Sequence, residues 1–406
     1  MKHFFFIAFI FFSLFASAQS TIRQGIWHAE FKLNDTTTLP FQFEVKGTLI
    51  EVMNAEERIT VTEIKTSGDS VFIQMPVFDT EIRCRIENDS LKGKFLNHTR
   101  LSNNIIPFKA AYGKYVPLVN SFDLKNFEGR WEATFAGDEP PLNKAVGIFK
   151  QTGNHVTGTF LTPTGDYRYL EGYADGNKMY LSCFDGSHLF YFPVMMHEDG
   201  TLSGDFYSGS HSHDTWSAKR NDKAELPDPD SLTFVKKGHD HLNFSLPDAD
   251  SNIVSITDAK FQNKVVVVQV MGTWCPNCMD ETAFLAPFYK RYHDKGFEVI
   301  GLDYERITNM PFVKKNLNRL KKQYDIQYSL LFAGSTDKVN RAYTLPQLTS
   351  IISFPTSIII DKKGRVRKIH TGFSGPATGQ DYEKWKDDFE KFIQKLLKLQ
   401  KQKMRL

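Results

Sequence analysis

The chemistry of this sequence is concentrated in two cysteines three positions apart, Cys275 and Cys278, inside Trp274-Cys275-Pro276-Asn277-Cys278. Two thiols at that spacing can close a small disulfide and reopen it by thiolate exchange. The pair could also be a structural disulfide or half of a four-cysteine zinc site. A zinc site needs four ligands, and the remaining cysteines, Cys84 and Cys183, form no second close pair. A purely structural pair is uncommon where a strand hands over to a helix, which favours redox chemistry.

The flanking residues imply such a junction. Val265 to Val268, extended by Val270 and Met271, is a β-branched apolar run, the pattern of a strand covered on both faces. Gly272 and Thr273 end it. Phe284, Leu285, Phe288 and Tyr292 then recur at helical spacing, with Pro287 expected to kink the helix and Gly296 to stop it. Cys275 would sit at the helix start, beside unpaired N–H groups and the positive end of the dipole. Thiolates so placed have pKa values of roughly 3.5–7.5. Cys278, one turn on, would be shielded and free to act as the resolving thiol. Pro276 suits a first turn because it needs no N–H partner.

With those residues in view, about Leu242 to Leu397 resembles the thioredoxin-like domain of the TlpA/ResA type, a family of membrane- or periplasm-facing thiol–disulfide oxidoreductases. Trp274 to Cys278 is similar to the family's active-site motif. Ser353 to Val366 resembles the segment that holds its cis-proline, which would make Pro355 that residue. Thr371 to Gly379 is similar to a closing segment common in the family. The resemblance implies a catalytic role for Cys275, Cys278 and Glu281, with Glu281 handling the proton of Cys278. It implies a docking surface for substrate made by Trp274, Pro276, Phe354 and Pro355, and reduction as the direction of transfer. One departure matters: thioredoxins carry a buried Asp six residues before the first cysteine, and here Gln269 stands there. Glu281 could also be a solvated first-turn glutamate favouring the helix dipole.

A chain of 406 residues with 41 % hydrophobic and 24 % charged residues reads as two or three globular domains. A net charge of +3 is too small to imply nucleic acid. The start reads as a secretory signal: Met1-Lys2-His3, an apolar Phe4 to Phe15, then Ala16-Ser17-Ala18, with cleavage after Ala18. No later run approaches a membrane-spanning length. These features predict an exported, periplasmic or similar location. An exported reductant must be recharged, and nothing suggests a bound nicotinamide or flavin. No cofactor and no metal are therefore expected. The implied partners are a disulfide-containing protein substrate and a thiol electron donor in the membrane or periplasm.

Before the redox segment, short alternating runs punctuated by Gly, Asp and Asn turns predict an all-β region, barrel- or sandwich-like. It repeats. Gly25-Ile26-Trp27-His28-Ala29-Glu30-Phe31 matches Gly129-Arg130-Trp131-Glu132-Ala133-Thr134-Phe135, and Phe108-Lys109-Ala110 matches Trp216-Ser217-Ala218. The expected organisation is a signal peptide over 1–18, β modules over 19–118 and 119–220, a polar linker over 221–241 stiffened by Pro227 and Pro229, and an α/β thioredoxin-like domain over 242–406. Trp27 and Trp131 head their modules identically and read as core plugs. Cys84 and Cys183 could pair or stay as buried free thiols. His211, His213 and Asp214, with His239, Asp240 and His241, have no shared frame for a metal and read as a turn and a linker. The Lys/Arg side of the helix predicted over 311–324 reads as a solvated face, with an acidic partner as the sharper alternative. Two rival functions remain open: a peroxiredoxin-like thiol peroxidase, with Thr273 two residues ahead of Cys275, and a binding protein in which the β modules are primary.

Overall fold

The computed structural model describes residues 21–399 apart from 116, 118–120 and 122. The expected signal peptide and cleavage point lie outside the described residues. No helix among the described residues is long and apolar enough to cross a membrane.

Period-two sequences bury one face of a strand and expose the other. That alternation builds two antiparallel sheets before residue 221. The first has nine strands, from Gly25–Lys32 to Ile105–Tyr112, and its two edges, Glu57–Val61 and Glu63–Ser67, are consecutive in sequence, so the meander curls back on itself. In the second, Lys144–Thr152 pairs with both Gly129–Phe135 and His155–Thr162, which closes the sheet into a barrel. Closure leaves no open edge on the ring.

The repeat in the sequence is a repeat in register. Ala29 pairs with Ala110 and Phe31 with Phe108; Ala133 pairs with Ala218 and Phe135 with Trp216. Trp27 and Trp131 are each 1 % exposed, and each indole N–H donates to the carbonyl four residues earlier, Arg23 and Phe127, at 2.9 Å. Gly25 and Gly129 hold φ near +115°, where a side chain would be strained. The modules also share a core: Phe184 and Leu189 of the second pack among Phe31, Phe41 and Phe95 of the first. Asn54 exchanges two hydrogen bonds with the Phe184 backbone across this seam. Cys84 and Cys183 are both free and buried, so no disulfide ties the modules; the tie is apolar packing. Burial pushes the Cys84 thiol up to about 12 and Cys183 well above its ordinary value.

The C-terminal region is a five-stranded sheet in the order Ser329–Ser335, Phe297–Glu305, Val265–Met271, Thr356–Ile360, Val366–Thr371. The first three strands are parallel and the last two antiparallel. Every residue of the central strand is buried because both faces are covered. Val265 and Val267 meet α1 (Pro276–Tyr292), α2 (Met310–Tyr324) and α4 (Gln380–Lys398). Val266, Val268 and Val270 meet Leu242, Phe244, Phe261 and the segment after α3 (Lys338–Thr344). Pro287 lies inside α1, which continues through it to Tyr292, and Gly296 closes the following turn at φ 89°.

The polar stretch over 221–241 packs against both of its neighbours as a strap. Ala224 and Leu226 pack on Val146 and Leu161 of the barrel, Asp230 holds Lys368 and His370, and Val235 bridges Leu348. The basic side of α2 is exposed at Lys314, Lys315, Lys321 and Lys322, and it also meets the first β module: Lys315 pairs with Asp79 at 2.8 Å, and Arg319 donates to the Phe78 carbonyl at 3.0 Å. The histidines go to separate partners: His213 to Asp205, His241 to its neighbour Asp240, and His211 to Arg100 of the first module.

Trp131→Ala should remove about 3–5 kcal/mol of barrel stability, the usual cost of deleting a fully buried indole. Denaturant unfolding followed by circular dichroism checks this, and an unchanged midpoint would contradict the plug assignment.

Candidate functional site: a capped dithiol

The central strand delivers Gly272 to Cys275 to the rim of its sheet, where α1 begins. Gly272 is required by close approach: a Cβ there would lie 2.3 Å from the Trp274 indole nitrogen. Cys275 is the N-cap of α1, Pro276 takes the first helical position, and Cys278 N–H donates to Cys275 Sγ at 3.2 Å. Cys275 and Cys278 are joined in a disulfide with Cα atoms 5.3 Å apart. Cys275 Sγ also lies 3.4 Å from the Phe354 carbonyl oxygen. The Phe354–Pro355 peptide bond is cis. Trp274 stacks edge-on against Phe354, donates its indole N–H to Tyr304 O at 2.9 Å, and carries the Arg306 guanidinium over its ring at 4.0 Å.

Beneath the sulfurs runs a buried polar chain. Glu281, 1 % exposed, accepts from the Ser357 hydroxyl at 2.7 Å and from the Gln269 amide at 2.9 Å. The same amide reaches the Cys278 carbonyl and the Thr282 hydroxyl. Burial holds the Glu281 carboxyl above its ordinary range, although Ser357, Gln269 and His370 act in the opposite sense. It is therefore not a solvated first-turn glutamate. A buried carboxyl one turn beyond Cys278, its pKa raised by burial, is suited to proton exchange with that thiol. Gln269 cannot titrate, but it ties Glu281 to the backbone of Cys278.

A second acidic pair was missed in the sequence. Asp303 and Glu305 are fully buried, and Glu305 accepts from both the backbone N–H and the hydroxyl of Thr273. Burial raises both carboxyls above their ordinary range; the charge of Glu305 pushes Asp303 further up, while Thr273 and Asp303 act in the opposite sense on Glu305. The pair fixes the turn that carries Trp274 and Cys275. Its signal was available: acids at alternate positions, Asp303 and Glu305, at the end of the largely apolar strand Phe297–Glu305. Because the Thr273 hydroxyl is bonded to Glu305, it is committed away from the role a peroxidatic site would need.

What the sequence did not suggest is that this rim is covered. Cys275 is 5 % exposed, Asn277 7 % and Cys278 0 %. The cover comes from the β region. Asn277 Nδ2 donates to the carbonyl of Asp166 and to that of Phe373, each at 3.2 Å. The Ser353 hydroxyl donates to Thr164 O at 2.8 Å, Gly375 N–H donates to the Asp166 carboxylate at 2.5 Å, and the Ser187 hydroxyl donates to Trp274 O at 3.2 Å.

Arg168 lies at the centre of the contact. Its guanidinium is bonded to Glu57 of the first module at 2.5 Å and to Asp280 of α1, and its Nε is 3.4 Å from Asp185 of the barrel. Burial opposes the charge, but the three carboxylates outweigh it and raise its pKa well above the ordinary value. Removing one partner of such a buried group typically costs about 3–5 kcal/mol. Among the described residues, no group of His, Cys, Asp and Glu could hold a metal ion.

Residues 236–384 match the Redoxin family model. The same region is similar to thiol-disulfide oxidoreductase ResA of Bacillus thuringiensis subsp. konkukian, with 26 % identity over 159 residues, covering 39 % of this chain and 78 % of that protein. Against ResA of Bacillus subtilis it is 28 % identical over 149 residues, covering 36 % and 74 %. Among solved structures it is similar to a putative thiol:disulfide interchange protein DsbE from Chlorobium tepidum, at 23 % identity and a TM-score of 0.29, covering 37 % of this chain and 95 % of that one. The C-terminal region is thus a Redoxin domain of thioredoxin-like fold, preceded by a large all-β region with barrel-like sheets.

Burial and the neighbouring Asp280 push the Asp166 carboxyl up to about 6, while Gly375 N–H and Arg168 act in the opposite sense. A carboxyl raised on folding contributes stability that is complete below its unfolded pKa, near 4, and is lost as pH rises through about 6. That loss amounts to about 3 kcal/mol. Asp166→Asn, which mimics the protonated form, should flatten this part of the pH dependence of thermal stability between pH 4 and 7. An unchanged profile would contradict it.

Proposed function

We propose that this protein is an exported thiol–disulfide oxidoreductase that reduces disulfides in other proteins. The observation that carries the reading is the Cys275–Cys278 disulfide at the first turn of α1, with Cys275 as the N-cap. In the reduced protein the helix N-terminus stabilises the Cys275 thiolate. This thiolate attacks one sulfur of a substrate disulfide; that S–S bond breaks, and the other substrate sulfur leaves as a thiolate and takes a proton. Cys278, giving its proton towards Glu281, attacks Cys275 Sγ and releases the second substrate sulfur. Two electrons have then passed to the substrate, and the Cys275–Cys278 disulfide remains. A dithiol donor protein in the membrane or periplasm returns the two electrons. Trp274, Pro276, Phe354 and Pro355 shape the docking surface. Export rests on the basic and apolar N-terminal sequence.

Cys275→Ser should abolish reduction of a protein disulfide such as insulin, whereas Cys278→Ser should accumulate a mixed disulfide visible on a non-reducing gel. Full activity in the Cys275 variant would refute the assignment. Glu281→Gln should slow resolution of the mixed disulfide by about 10²-fold, the scale of one general acid–base group. Stopped-flow fluorescence of Trp274 reads that step, and an unaltered rate would remove Glu281 from it.

A further inference from the structure

The β region touches the redox face through one turn above all, Pro163 to Asp166, and the fit is close. Gly165 holds φ +146°, and a Cβ on it would lie 2.4 Å from Asn277 Nδ2. On the other side of the contact, a Cβ on Gly372 would lie 2.7 Å from the Pro163 carbonyl oxygen. Two backbone carbonyls of the turn, Thr164 and Asp166, accept from the side chains of Ser353 and Asn277. The Asp166 carboxylate accepts from the backbone of Gly375. These are main-chain contacts of the kind that a foreign peptide segment can reproduce. The donors stand beside the dithiol: Asn277 lies between the two cysteines, and Ser353 is two residues before Pro355.

We propose that the turn Pro163–Asp166 is a resident occupant of the redox domain's substrate groove, latched by Arg168, and that the disulfide substrate enters as a peptide segment that takes its place. The substrate class follows from what the turn supplies: backbone carbonyls for Asn277 and Ser353, a small residue against Asn277, and an acceptor side chain for Gly375 N–H. Asn277 and Ser353 are positioning residues for that segment. The latch joins three parts of the chain at one guanidinium, so losing the Arg168–Asp280 bond frees α1 from a group anchored in both β modules. This inference rests on the exchange reading above and adds to it the occupant and the sequence preference.

The test uses the full, reduced chain and three substitutions. Gly165→Ala places a methyl against Asn277, Asp280→Asn weakens the latch at its rim, and Arg168→Met removes it. Two rates are read: alkylation of Cys275 by iodoacetamide, followed by peptide mass, and reduction of insulin. Each variant is expected to raise both rates at least about tenfold, with the circular dichroism of the β region retained. Rates within twofold of the parent in Gly165→Ala and Asp280→Asn would overturn the proposal.

Should the variants misfold, the unmodified latch still gives an answer. With Cys278→Ser trapped as a mixed disulfide with a cysteine-containing peptide, amide exchange in 163–168 and 372–376 should rise together. Unchanged exchange there overturns the proposal. The two readings fail separately. Faster alkylation without insulin reduction in any variant sinks disulfide exchange and leaves the closure standing. Equal insulin reduction by parent and variants sinks the closure and leaves exchange standing.

Discussion

One constraint governs the molecule: the strand that delivers the cysteines is buried on both faces, so its chemistry can emerge only at its end. Helices α1, α2 and α4 cover one side of Val265–Met271, and the entry segment and the stretch after α3 cover the other. The backbone must then turn at Gly272, and the next side chains meet whatever lies over the rim. That geometry puts Cys275 on the unpaired N–H groups of α1 and leaves Cys278 inside. It also makes the rim the one place where a covering element can control the dithiol.

The β region is built to be such an element. Its barrel is closed, so it offers no ladder edge of its own around the ring, and its rigidity comes from aromatic packing around Trp131, Phe160 and Trp216. A rigid body can carry a short turn to a fixed position on a neighbour. Its hold on the redox domain combines apolar contact, through Val77 and Phe78, with charge at Arg168, Asp79 and Lys315. The strap over 221–241 keeps the two bodies at short range, so separation at the rim need not mean separation of the chain into independent parts.

How much of this was legible in the sequence follows from the range of the interactions. The buried strand, the N-cap cysteine, the parallel crossover and the repeated register of the β modules are written in local periodicity, and they can be read from Val265 to Gly296 and from the two Gly-x-Trp segments. The Phe354–Pro355 geometry came from family resemblance and from nothing local. The cap was not legible. Asp166 meets Asn277 across 111 residues and Arg168 meets Asp280 across 112, and such contacts leave no periodic trace. Arg168 sits in an unremarkable run, Asp166-Tyr167-Arg168-Tyr169, that reads only as strand. The contact of α2 with the first β module is equally silent: Lys315 meets Asp79 across 236 residues.

The central claim is that Cys275 and Cys278 form a reversible two-electron couple. It is tested most directly by equilibrating the full chain across dithiothreitol or glutathione redox buffers and counting alkylated cysteines by mass. The account predicts a single reversible transition confined to Cys275 and Cys278, with a slope of about 30 mV per tenfold change in ratio and with Cys84 and Cys183 unchanged throughout. A pair that stays oxidised or reduced across the whole range, or that titrates one electron at a time, would contradict it.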